Sequence, residues 1–133
     1  MTSPALRDRY LADSINTASP GKLLVMLYDR LVLDLAQGEE ALRAEDRERA
    51  ADRLTHAQEI ILELRTTLDL DAWDGAPGLA NLYGFLLTEL IGANVRRDAD
   101  RVAACRGLVE PLRDAWREAA AQVAADAVAT GAR

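Results

Sequence analysis

A chain of 133 residues, half of them apolar and 29% charged, is long enough for one domain with a real core and unlike a disordered segment. A net charge of −6, with one Lys against fifteen Arg scattered among 22 acids, argues against a nucleic-acid binder, which needs clustered cations. The N-terminus has no apolar leader and no run approaches a membrane span, so no membrane insertion is expected; the lone Cys105 excludes an internal disulfide and points to a reducing, cytoplasmic setting.

Residues 1–18 read as a short arm. Within it Leu6, Tyr10, Leu11 and Ile15 recur at roughly helical spacing, an apolar content that suits docking onto an apolar surface. Ser19 is then a fitting N-cap and Pro20 a fitting first helical residue, because proline lacks only an N–H that has no partner there anyway. The first helix is expected over 20–44, with Leu24, Leu27, Leu31, Leu35 and Leu42 on one stripe, widened by Tyr28 and Val32. Met26 and Leu33 fall on a different face. Asp46 is a candidate cap for a second helix over 47–70, whose seam is Ala50, Leu54, Ala57, Ile61, Leu64 and Leu68. His56 points away from that seam and is expected to be exposed.

Asp, Gly and Pro signals break the chain over 71–78. The third helix, expected over 79–96, is the most apolar. Leu79, Leu82, Tyr83, Leu86, Leu90 and Ala93 make a core stripe. Ala80, Gly84, Leu87, Ile91 and Val95 make a second, displaced by roughly 100° on a 3.6-residue wheel. A bundle helix needs only one buried face, so this stripe is surplus: it awaits a partner helix, the arm, or a second copy of the chain. Gly84 within it would admit another backbone closely.

The fourth helix, expected over 99–129, carries the seam Val102, Cys105, Val109, Leu112, Trp116, Ala119 and Val123. Pro111 predicts a kink near Gly107 to Pro111. Cys105 reads as a small core hydrophobe. Four amphipathic segments with short connections predict an all-α, antiparallel up-down-up-down four-helix bundle over 19–129, preceded by the arm and followed by a frayed tail over 130–133.

Chemistry is sparse. One His rules out paired Glu-x-x-His ligand sets, and there is no zinc-type Cys pair, no phosphate loop and no nucleophile elbow. No catalytic residue, metal or cofactor is expected. A histidine phosphotransfer role for His56 is the one chemical alternative. Ala57, Gln58 and Glu59 follow it where such modules place Lys and Gly, and with Glu63 nearby the local field repels phosphate.

Five blocks in order carry a family resemblance. They are Tyr10 with Thr17-Ala18-Ser19-Pro20 and Leu23-Leu24 to Met26-Leu27-Tyr28-Asp29; Ala57 with Ile60-Ile61 and Leu64, then Leu68-Asp69; Leu82-Tyr83; Leu90 with Ala93-Asn94 and Asp98; and Leu112-Arg113 with Trp116. Together they resemble the flagellar secretion chaperone family, FliS. The resemblance implies a cytoplasmic four-helix chaperone without enzymatic activity. Such a protein binds the disordered C-terminal segment of flagellin, blocks premature polymerisation and helps delivery to the flagellar export gate. The arm's Tyr10, Leu11 and Ile15 are the docking residues it suggests, and the surplus stripe of Ala80, Gly84, Leu87, Ile91 and Val95 is surface the segment would use, with Met26 and Leu33 as the alternative groove. The competing class is a structural or adaptor homodimer whose mate covers the second stripe.

Overall fold

The computed structural model describes residues 20–131. Four helices form it: α1 (Pro20–Arg43), α2 (Arg47–Thr67), α3 (Ala76–Arg96) and α4 (Ala99–Gly131). There is no strand among the described residues. Each helix packs on its chain neighbours and α4 closes the ring on α1, while the diagonal pairs keep their backbones apart. Cross-links fix the directions. Rising numbers in α1, Asp29, Glu39 and Arg43, meet falling numbers in α4, Arg117, Arg106 and Asp100. Asp34 and Glu40 of α1 meet Arg53 and Arg49 of α2 in the same antiparallel sense. This is the up-down-up-down bundle that the periodicity requires.

The seams meet at the centre. Leu27, Tyr28, Leu31, Val32 and Leu35 of α1 pack with Leu54, Ala57, Ile60, Ile61 and Leu64 of α2, Leu79, Tyr83, Leu86, Leu90 and Ala93 of α3, and Val102, Cys105 and Val109 of α4. Burial pushes the Cys105 thiol up to about 11, with Glu89 adding to the shift, so it stays a thiol and serves as packing. Gly38 lets α1 and α2 close up, since a Cβ there would stand 2.7 Å from Leu54 Cδ2. Tyr28 and Tyr83 meet hydroxyl to hydroxyl across the diagonal at 2.6 Å.

The turns follow local chemistry. Asp46 caps α2 by accepting from the Arg49 N–H at 3.2 Å, and Asp98 accepts from the Arg101 N–H at 3.1 Å. Glu45 and Arg97 take the left-handed conformation that ends α1 and α3. Arg97 also donates its backbone N–H to Ala93 O.

Three expectations change. α2 stops at Thr67, leaving Leu68 extended and Leu70 exposed. α3 starts at Ala76, because Pro77 falls in the first turn, where its missing N–H breaks no bond. The α4 seam ends at Trp116: Ala119 and Val123 are exposed because α4 outruns α1, whose described part starts at Pro20. Helix continues through Pro111 to Gly131.

The α1–α4 flank is ionic. Glu39 accepts from Arg106 at 2.7 Å and from Arg43 at 3.1 Å. The Arg106 hydrogen bond is the main cause that holds the Glu39 carboxyl below its ordinary value. A depressed carboxylate contributes stability above its unfolded pKa and loses it as pH falls through the folded one. Glu39→Gln should therefore cost up to about 1 kcal/mol at pH 7, and that cost should shrink as pH falls through the folded pKa, read from urea melts at pH 7 and across the acid range.

Candidate functional site

Apolar surface remains where the bundle does not need it, in two places. The first is the bundle end formed by the start of α1, the end of α2 and the start of α3. A cavity of about 480 Å³ opens there, with Leu23, Leu24 and Leu27 on the α1 wall and Leu64, Thr67 and Leu68 on the α2 wall. Tyr83 and Trp116 form its floor, with Trp73 at its edge. A second hollow of about 380 Å³ adjoins it, sharing Pro20, Leu24 and Trp116 and running along Ala120, Val123 and Ala127 of α4.

The loop builds one side of this cavity. Asp69 turns the chain by accepting from the Asp71 N–H at 2.9 Å, which brings Trp73 back toward the bundle. A Cβ on Gly75 would overlap the Trp73 ring, so glycine is what lets the indole fold down. Trp73 meets Trp116 edge to face at 6.4 Å, and Trp116 meets Tyr28 at 6.3 Å. This aromatic chain runs from solvent to the core hydroxyl pair. Trp73 is nevertheless 51% exposed, a large apolar payload left half in water.

The second place is the α2-facing flank of α3. Ala80, Gly84 and Leu87 are half-buried there, whereas Ile91 and Val95 are 51% and 75% exposed. Gly84 does not receive a backbone. The Arg65 guanidinium of α2 lies beside it, 3.7 Å from where a Cβ would stand. On this flank Leu87, Ile91 and Val95 follow at every fourth residue as one apolar strip, and Leu62, three residues before Arg65 on α2, is exposed as well. Met26 and Leu33 lie on the outer face of α1, half-buried and exposed respectively, apart from both. Tyr10, Leu11 and Ile15, with the Ser19 cap, lie outside the described residues.

His56 is not the free surface histidine expected. Its Nδ1 is hydrogen-bonded to Asp34, a carboxylate with no solvent exposure. Among the described residues no group of His, Cys, Asp and Glu is arranged to hold a metal, and no helix is long and apolar enough to cross a membrane. Sequence reasoning missed the cavity wall of Leu23, Leu64 and Trp73. A tryptophan placed among Asp and Gly in a turn was the available signal.

Comparison with known proteins gives this geometry a family. The family model described as flagellar protein FliS matches residues 2–123. The chain belongs to the FliS family of flagellar secretion chaperones. The FliS of Bacillus subtilis is 34% identical over 110 residues, covering 83% of this chain and 82% of that one. The FliS of Campylobacter jejuni is 31% identical, covering 82% and 86%. A crystal structure of a flagellar chaperone from bacteria shares the fold, with a TM-score of 0.70 over 86% of this chain and 94% of that chain at 23% identity. FliS chaperones are non-enzymatic.

The two tryptophans of this FliS-family site should separate cleanly. Trp116→Ala removes the link between cavity floor and core and should cost roughly 3 kcal/mol. Trp73→Ala should cost clearly less than Trp116→Ala, about 1 kcal/mol or below, since its ring is half in solvent. Urea unfolding of both variants checks the difference.

Proposed function

We propose that this chaperone binds the C-terminal segment of flagellin in the cytoplasm, prevents its premature polymerisation and assists its delivery to the flagellar export gate. The observation that carries this reading is apolar surface outside a complete core. Around the bundle-end cavity Leu23, Leu24 and Trp73 stay partly in solvent, and Leu62, Ile91 and Val95 are exposed. Apolar surface of this kind is what an amphipathic helix buries, the mode in which disordered segments fold on binding. Family membership supplies the reason to name flagellin as the occupant.

Leu87 and Ile91 are proposed as anchors in the strip, with Ala80 and Gly84 lowering its wall and Val95 extending it. Burying each anchor contributes roughly 1.5–3 kcal/mol before ordering costs. Leu87→Asp with Ile91→Asp should abolish binding of a flagellin C-terminal peptide in calorimetric titration, because two carboxylates would have to be desolvated. Helicity and cooperative melting should survive, since Leu79, Leu86 and Leu90 are untouched. A folded double mutant that still binds would move the site to Met26 and Leu33. A parent chain that sediments as a sealed dimer and takes up no peptide would favour the homodimer instead.

The arm is proposed as a reversible cover for the same apolar surface. The chain enters α1 at Pro20, which lines both hollows. Ile15 stands five residues before it, within roughly 18 Å at full extension, so the cavity is in reach of Ile15 and, with more chain, of Leu11 and Tyr10. A covered site binds in proportion to its open fraction. Deleting residues 1–15 should therefore raise the association rate for the peptide in stopped-flow mixing. An unchanged or lower rate would make the arm idle or part of the binding surface.

A further inference from the structure

The α1–α2 seam is apolar along Leu31, Leu35, Leu54 and Ile61, yet it encloses Asp34 with no solvent exposure. Oδ2 of Asp34 is hydrogen-bonded to Nδ1 of His56 across the seam. Oδ1 has no hydrogen-bond partner among the described residues. It faces Arg30 Nε, one turn earlier on α1, at 3.4 Å and Arg53 Nη1 of α2 at 3.8 Å. Those three side chains are about a third exposed, at 35%, 30% and 28% for Arg30, Arg53 and His56, and Arg53 is shared with Asp52 at 3.5 Å. The Arg30, Arg53 and His56 side chains thus keep contact with water while the carboxylate has none.

Among the described residues no other element sets this field. The α4 cations that pair with α1, Arg106, Arg113 and Arg117, are engaged with Glu39 and Asp29 on the opposite flank. α3 offers α1 the uncharged Tyr83. Burial pushes the Asp34 carboxyl above its ordinary value, and the His56 hydrogen bond, then the charges of His56, Arg30 and Arg53, only partly offset it.

We propose that Asp34 and His56 form a proton-operated contact between α1 and α2: on acidification the buried Asp34 takes up a proton, its ion pairs with Arg30 and Arg53 are switched off, and the two helices re-set against each other. About two turns beyond the contact the same helices become the facing walls of the bundle-end cavity, Leu23, Leu24 and Leu27 against Leu64, Thr67 and Leu68. The contact therefore links cavity shape to pH, whatever molecule fills the cavity. The sign follows from linkage. A raised folded pKa means the ionised form costs stability. That cost is absent below the ordinary Asp value of about 3.9, grows through the window up to the raised folded value, and is complete above it.

The test uses the full chain and no partner. Carboxyl carbon NMR should give Asp34 a titration midpoint above the ordinary Asp value. Fluorescence of Trp73 and Trp116, the chain's two tryptophans and both cavity residues, should change with the same midpoint. In Asp34→Asn that fluorescence transition should vanish, and the melting temperature relative to the parent should be more favourable at pH 7 than at pH 3.5. A midpoint at or below the ordinary value, or the same transition in Asp34→Asn, overturns the proposal. If Asp34→Asn does not fold, His56→Ala decides: losing the hydrogen bond should push the Asp34 midpoint further up, and an unmoved midpoint overturns the coupling.

Discussion

In a ring of four antiparallel helices the diagonal partners do not touch through their backbones, so side chains must fill the centre and settle how each helix is turned. Here Tyr28 and Tyr83 do this by meeting hydroxyl to hydroxyl at 2.6 Å in a core that excludes water. Such a bond is worth only about 1 kcal/mol net, but a buried phenol left without a partner costs roughly 1–3 kcal/mol. Burial raises both phenol pKa values, so neither ring ionises to escape the constraint. Turning α1 or α3 by one residue, about 100°, would orphan a hydroxyl. The rotation of α3 is therefore fixed, and with it the flank carrying Leu87, Ile91 and Val95 is left facing outward.

Much of this was legible from spacing alone. The heptad stripes of α1 and α2, the surplus apolar flank of α3 and the Asp46 cap all follow from side-chain type and period, because local sterics and burial act on each helix separately. What spacing hid was pairwise. Asp34 stands a heptad from Leu27 and from Ala41, so its register already placed it at the core edge. Its charge alone does not show that His56 and two arginines surround it. Gly38 is the seat for Leu54, a close approach of two helices that spacing does not show. Trp73 looked like loop, since nothing in the sequence says that Gly75 lets its ring fold back onto Trp116.

The proposed function rests on what is left over. The α1–α4 flank is closed by ion pairs running from Asp29 to Asp100, and the diagonal by the tyrosines. With those contacts in place, Trp73 at the cavity and Leu62, Ile91 and Val95 still remain exposed. A chaperone for an unfolded segment needs this division: a core stable without the client, and apolar surface exposed enough to be offered to it. The cost of that surface is an aggregation hazard, which a covering arm would reduce.

The central claim is that client binding uses the surplus apolar surface and leaves the ionic α1–α4 flank alone. Hydrogen–deuterium exchange of the full chain, with and without a saturating flagellin C-terminal peptide, tests it most directly. New protection should concentrate on the cavity walls around Leu64 to Trp73 and on α3 from Leu87 to Val95, with little change in α4 between Asp100 and Arg113. Protection confined to that α4 segment, or none at either apolar site, would contradict the account.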